Sequence, residues 1–106
     1  MDYRLKKEKD FNAVFKQGKR IFSKNLTLIY LEKEELKAGF AVGKKHGGSV
    51  QRNKIKRYLR ESFRSFIPVL RKNFFFVFIP KIQEEYSVKE FVESMNYIFK
   101  KGNFLL

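Results

Sequence analysis

The residues best suited to chemistry in this chain are cations, and they are concentrated between Lys44 and Arg64. The segment KKHGGSVQRNKIKRYLRESFR carries eight Lys or Arg residues against a single acid, Glu61. Gly47 and Gly48 lie within it, and glycine lets the backbone approach a ligand closely. Phosphate groups bind where several cations lie beside accessible backbone N–H groups. The segment therefore predicts a surface for a polyanion.

The residue pattern from Val50 to about Ile67 predicts an amphipathic helix. At roughly 100° per residue, the polar residues fall in one sector of about 140°, which contains Arg52, Asn53, Lys56, Arg57, Arg60 and Arg64. The neighbouring sector can pack on a core and contains Ile55, Leu59, Ser62, Phe63 and Phe66. Ser49 is expected to cap the start of the helix, and Pro68 to place its end near Ile67. Because ordinary surface helices mix charges of both signs, this one favours a nucleic-acid interface.

Residues for an independent catalytic site are sparse. A nuclease needs convergent carboxylates to hold metal ions, or a paired acid and base near the scissile phosphate. Asp occurs only at Asp2 and Asp10, and the nine Glu are scattered along the chain. Cys is absent, and we interpret the single His46 as an exposed loop residue that touches phosphate rather than a catalytic base. We therefore assign no catalytic residue and no metal ligand.

Length and charge restrict the class of protein. A chain of 106 residues predicts a single domain over residues 1–106. Its net charge of +13 favours nucleic acid over an acidic protein or a membrane as the partner. The charged opening MDYRLKKEKDF is unlike a signal peptide, and the longest apolar run, 74–79, is too short for a membrane span. We expect a cytoplasmic protein.

A short helix precedes the basic segment. Phe11, Val14 and Phe15 follow the i, i+3, i+4 spacing of a helix over about 7–17. Gly18 is placed to end this helix in a left-handed conformation. Phe11 and Phe15 lie one turn apart, so the simplest interpretation is that they pack the helix on a sheet. Stacking of these rings on nucleic-acid bases is the alternative.

The remaining segments predict strands and one more helix. Extended stretches over 21–31 and 36–42 are rich in branched and aromatic residues, and the apolar run 74–79 predicts a central strand buried on both faces. Ser87 and Glu90 form a capping-box pattern at the start of a third helix. The order α-β-β-β-α-β-α predicts an α+β fold, a sandwich of helices and one sheet.

Three strings in the chain resemble one known family. VQRNKIKRYLRESF, preceded by GFAVGKKHGGS, resembles the RNR motif of the bacterial ribonuclease P protein subunit, and DFNAVFKQGKR resembles that family's first helix. The resemblance implies a two-layer α/β sandwich of the ribosomal protein S5 domain 2-like kind, with a mixed sheet of about four strands and a left-handed β-α-β crossover. It also implies that RNA binds Lys44, Lys45, Arg52, Asn53, Lys54, Lys56, Arg57 and Arg60.

The resemblance further implies a role in the maturation of transfer RNA. Members of this family bind a catalytic RNA that removes the 5′ leader from precursor tRNA, so the protein is expected in an endoribonuclease holoenzyme. Hydrolysis belongs to that RNA and to Mg²⁺ bound mainly by it. The expected partners are the catalytic RNA and precursor tRNA, without DNA or membrane. The alternative is a non-enzymatic ribosomal or chaperone-type RNA-binding protein, against which the motif strings argue.

A leader-binding cleft is implied between the first helix and the sheet. The family's two helix aromatics match Phe11 and Phe15, which raises the weight of the stacking interpretation. A further cleft tyrosine of the family aligns with Ile29. Tyr30 is one residue further on and is kept as a leader candidate, although alternation along a strand directs it to the opposite side.

Overall fold

The computed structural model describes Tyr3–Leu106, which form three α-helices and a four-stranded sheet. The helices are α1 (Glu8–Gln17), α2 (Ser49–Arg64) and α3 (Val88–Lys101). The strands are β1 (Lys19–Phe22), β2 (Leu26–Glu32), β3 (Lys37–Phe40) and β4 (Phe74–Pro80). Short 3₁₀ helices at Lys44–His46 and Ile67–Val69 flank α2.

The sheet is mixed and has the strand order β1-β2-β4-β3. Strand β2 pairs antiparallel with both β1 and β4, whereas β3 pairs parallel with β4. Helix α2 lies in the connection from β3 to β4, which parallel strands require. The α+β class, the element order and the central position of β4 are confirmed. The hand of the β3–α2–β4 crossover stays a prediction of the resemblance.

The main core lies between the sheet and the pair of helices α2 and α3. Alternate residues of β2 and β4 point to this side, among them Leu28, Phe76 and Phe78. Each helix covers them with one apolar stripe at i, i+3, i+4 spacing. The stripe of α2 contains Ile55, Leu59 and Phe63, and that of α3 contains Phe91, Met95, Ile98 and Phe99.

Helix α1 packs on the opposite face of the sheet. The other set of alternating strand residues, Ile29, Phe75 and Val77, forms a smaller cluster there with Leu5 and Val14. The helix adds a partial layer to the predicted sandwich. Periodicity predicted the apolar stripe of α1 but carried no information on which face of the sheet would receive it.

Hydrogen bonds and backbone angles test the predictions for three helix ends. Ser87 caps α3, since its Oγ accepts from the Glu90 N–H at 3.2 Å, as predicted. The left-handed conformation expected at Gly18 is wrong, because its φ is −73° and ψ is 160°. Glycine is needed there because a Cβ would lie 2.7 Å from Ile29 Cγ2. The predicted cap at Ser49 is also wrong, since Gly48 precedes the first helical residue of α2.

The chain ahead of α1 covers the free edge of β3. Leu5 N donates to Ala38 O at 2.9 Å, and Ala38 N donates to Tyr3 O at 2.7 Å. No helix in the described part of the chain is long and apolar enough to cross a bilayer.

Candidate nucleic-acid interface

Helix α2 separates its buried residues from its cations as predicted. Ile55, Leu59, Ser62 and Phe63 are buried against the core. On the remaining surface Arg52 and Lys56 are half-buried, and four further cations and one amide are exposed: Asn53, Lys54, Arg57, Arg60 and Arg64. The one acid of the helix, Glu61, is exposed as well. We call this surface, together with Lys44 and Lys45, the basic face. Arg64 belongs to the basic face although the family motif does not include it. Its position in the polar sector of the helix predicted this exposure.

Arg57 and Arg60 keep their full charge within the part of the chain that the structure describes. Among residues 3–106, no carboxylate lies within ion-pair distance of Arg57 or Arg60. Lys54 Nζ and Arg57 Cζ lie 5.7 and 5.5 Å from the Tyr58 ring centroid, within the range of cation–π attraction. The aromatic ring orients these two side chains without cancelling their charge. The face can therefore meet several phosphates at once.

The loop before α2 is held in place by His46, which is 5% exposed. Its Nδ1 accepts from the Gly43 N–H at 3.0 Å, and its Nε2 lies 2.7 Å from Pro80 O. Because a carbonyl only accepts, Nε2 carries the hydrogen and donates it. The exposed, phosphate-touching role expected for His46 is therefore wrong. The buried ring leaves Lys44 and Lys45 exposed at the end of β4.

The two glycines of this loop have different roles. Gly47 has a φ of 121°, which side-chain-bearing residues rarely adopt, and its carbonyl accepts from Arg52 Nη1 at 3.3 Å. Gly48 has an ordinary φ of −72° and no neighbouring atom within 4 Å of an added Cβ. The first turn of α2 contains no acid, so the positive end of the helix dipole reinforces the charge of the loop.

The two aromatic residues of α1 differ in exposure. Phe11 is half-buried, and its ring lies over β3 where a Cβ on Gly39 would be 2.5 Å from its Cε1 and Cζ atoms. Phe15 is 39% exposed. The same face carries half-buried apolar residues of the sheet, among them Leu31 and Ile79. Phe11 thus packs as a core residue, whereas Phe15 presents an aromatic surface to solvent.

Tyr30 does not join these two aromatics. Its ring centroid lies 4.8 Å from that of Phe104 and 6.1 Å from that of Phe74, in edge-on contacts on the face of α2 and α3. Ile29 points toward α1 but is fully buried. Tyr30 therefore does not share a leader site with Phe11 and Phe15, and it lies on the opposite face of the sheet, as the alternation of strand residues predicted.

Metal ligands do not gather in the part of the chain that the structure describes. Within residues 3–106, no three His, Cys, Asp or Glu side chains lie close enough together to hold a metal ion.

Comparison with known proteins identifies the family. The family model described as Ribonuclease P matches residues 1–103. The ribonuclease P protein component of an Exiguobacterium species is 31% identical over 103 residues, covering 95% of this chain and 90% of its own length. That of Finegoldia magna is 34% identical over 102 residues, with 94% and 90% covered.

Solved structures have the same architecture. The RNase P protein of Thermotoga maritima is 28% identical, with a TM-score of 0.81 over 92% of this chain and 96% of that one. The RNase P protein of Staphylococcus aureus is 24% identical and shares the fold, with a TM-score of 0.85 over 100% of both chains. A family match along nearly the whole sequence thus coincides with a helix that presents the RNR residues to solvent, and the chain belongs to the ribonuclease P protein family.

Proposed function

We propose that this protein is the RNA-binding subunit of ribonuclease P, the holoenzyme that removes the 5′ leader from precursor tRNA. The observation that carries the proposal is the basic face, where Arg57 and Arg60 are exposed and no described carboxylate neutralises them. The proposed ligands of the catalytic RNA are the residues matched by the family motif: Lys44, Lys45, Arg52, Asn53, Lys54, Lys56, Arg57 and Arg60.

The physical contribution of the protein is electrostatic. The catalytic RNA and precursor tRNA are both polyanions and repel each other, and a protein of net charge +13 placed against them reduces this repulsion. Each phosphate that a Lys or Arg neutralises releases condensed counterions, which favours binding at low salt. The protein thereby raises the affinity of the holoenzyme for its substrate.

Magnesium enters this proposal as the ion that the holoenzyme uses in hydrolysis. Mg²⁺ prefers oxygen ligands and retains several of its waters, and phosphates of RNA supply such ligands. We assign its binding mainly to the catalytic RNA and no catalytic residue to the protein. We place the holoenzyme in the cytoplasm, with the catalytic RNA and precursor tRNA as partners.

The substrate leader is proposed to contact the α1 face through Phe15, whose ring is exposed. Stacking tolerates every base and contributes about 1–3 kcal/mol per base, which suits an enzyme that processes many leaders. Phe15→Ala should therefore weaken binding of precursor tRNA more than binding of mature tRNA, whereas Phe15→Tyr should retain both. Equal losses for the two RNAs in the alanine variant, with circular dichroism unchanged, would assign Phe15 to packing.

The proposed function is tested by adding the purified protein to precursor tRNA with and without the ribonuclease P RNA of the same organism. We expect leader removal only when the catalytic RNA is present, and stimulation by the protein at limiting Mg²⁺. Accurate cleavage by the protein alone would refute the division of labour. Stimulation no greater than that by an unrelated basic protein would favour a general RNA-binding protein instead.

A further inference from the structure

Two exposed aromatic side chains outside the basic face share one cavity. Among residues 3–106, the exposed aromatic side chains are Phe15, Phe22 at 60% and Tyr97 at 50%. Phe22, at the end of β1, and Tyr97, on α3, both line a cavity of about 560 Å³. Ligand pockets in proteins measure roughly 300–1,000 Å³. Two rings that add little to the core thus border a space large enough for a small ligand.

The floor of this cavity is fixed by hydrogen bonds between three elements. In the turn between β1 and β2, buried Asn25 donates through Nδ2 to Glu90 Oε2 at 2.7 Å and through its backbone N–H to Ser94 Oγ at 3.2 Å. Lys81 N donates to Asn25 O at 3.0 Å. These bonds join the turn to α3 and to the end of β4. The cavity is therefore formed before a ligand arrives.

The charges around the cavity indicate how a ligand would be oriented. Lys24 and Lys81 line it and are exposed, and Lys101 Nζ lies 5.5 Å from the Tyr97 ring centroid. Glu90 and Glu93 also line the cavity, and carboxylates repel phosphate but accept hydrogen bonds from N–H groups. A fitting ligand places an aromatic ring with N–H donors inside and its negative charge near the lysines. A nucleotide has this distribution.

The end of β4 contacts both the loop before α2 and the cavity. Pro80 O accepts the hydrogen bond of His46, and the next residue, Lys81, lines the cavity. Lys44 and Lys45 immediately precede His46 and are exposed. An RNA strand bound along the basic face can therefore follow cations from the loop before α2 toward the cavity.

We propose that this cavity is a second RNA subsite that holds one unpaired nucleotide, with its base against Phe22 and Tyr97 and its phosphates beside Lys24 and Lys81. The inference rests on the RNA binding proposed above and extends it to β1 and α3. Aromatic stacking accepts any base. A duplex keeps its bases stacked inside the helix, so the subsite selects single strands.

A fluorescent reporter at Phe22 tests the subsite directly. The chain contains no Trp, so Phe22→Trp introduces a single tryptophan, which can be excited at wavelengths where the five Tyr do not absorb and which keeps an aromatic surface at the cavity. We expect a single-stranded pentaribonucleotide of mixed sequence to quench this fluorophore in a saturable manner, and a blunt-ended RNA duplex long enough to stay paired under the same conditions to leave it unchanged. Val69→Trp, at an exposed residue ahead of the other end of β4, should remain unquenched.

Binding of a labelled copy of the pentaribonucleotide is measured in parallel by fluorescence anisotropy. If the oligonucleotide binds at concentrations that leave Phe22→Trp unquenched, the subsite is overturned. Equal quenching by the duplex would overturn it as well.

Affinity measurements separate this inference from the proposed function. The double variant Phe22→Ala and Tyr97→Ala should bind the pentaribonucleotide about fivefold or more weakly, with circular dichroism unchanged because both rings are exposed. Full affinity in this variant, together with a loss in Arg57→Ala and Arg60→Ala, would overturn the subsite and leave the proposed function standing. Full affinity in all of these variants would overturn both.

Discussion

Replacing His46 with alanine should loosen the loop before α2 while leaving its two lysines, Lys44 and Lys45, in place. The ring accepts from Gly43 N at 3.0 Å and donates to Pro80 O at 2.7 Å, so the substitution removes both bonds. Gly43 is exposed and its N–H can bond to water, which limits that loss to about 0.5–1.5 kcal/mol. Pro80 is buried, and leaving its carbonyl unpaired costs about 1–3 kcal/mol.

The expected fall in the free energy of unfolding for His46→Ala is therefore about 1.5–4.5 kcal/mol. Urea denaturation at neutral pH, followed by circular dichroism, measures it. Lys45→Ala is the matched control, since this neighbour is exposed and should change stability by no more than about 0.5 kcal/mol. The reasoning fails if His46→Ala unfolds at the same urea concentration as the control, because the ring would then not hold the loop.

Gly47→Ala and Gly39→Ala test two positions where the structure requires glycine, and Gly48→Ala is the control for the first. Gly47→Ala should lower the free energy of unfolding by about 1–3 kcal/mol because Gly47 has a φ of 121°. Gly48→Ala should change it by no more than about 0.5 kcal/mol. Equal urea midpoints for the two variants would contradict this difference. Gly39→Ala should cost about 1–3 kcal/mol, since its Cβ would lie 2.5 Å from the Phe11 ring. An unchanged urea midpoint in that variant would contradict a fixed position of the Phe11 ring over β3.

Periodicity, together with the capping pattern at Ser87, predicted the elements whose determinants lie close together in sequence. The 3.6-residue repeat of α2 is enough to place Arg57 and Arg60 opposite Ile55 and Leu59, and burial confirms that division. The continuous apolar run of β4 predicted its central position for a similar reason, since only a strand covered on both faces needs apolar residues at every position.

Contacts between distant parts of the chain could not be predicted in this way. The hydrogen bond from His46 to Pro80 joins residues 34 positions apart, and no local sequence pattern predicts that a loop histidine will be buried. The cavity next to Phe22 depends on the bond between Asn25 and Ser94, which are 69 residues apart. The face of Tyr30 is a contrasting case, since the two-residue alternation of a strand was enough to predict that it would point away from Phe11 and Phe15.

The salt dependence of binding to the catalytic RNA tests the central claim most directly. Arg57→Ala and Arg60→Ala should each weaken binding and reduce the slope of log affinity against log salt concentration by about one, because each removes one phosphate contact. Arg71→Ala removes the same charge from an exposed residue outside the basic face, and its slope should match that of the parent. Unchanged slopes for Arg57→Ala and Arg60→Ala, or an equal reduction for Arg71→Ala, would contradict a phosphate-binding role for α2.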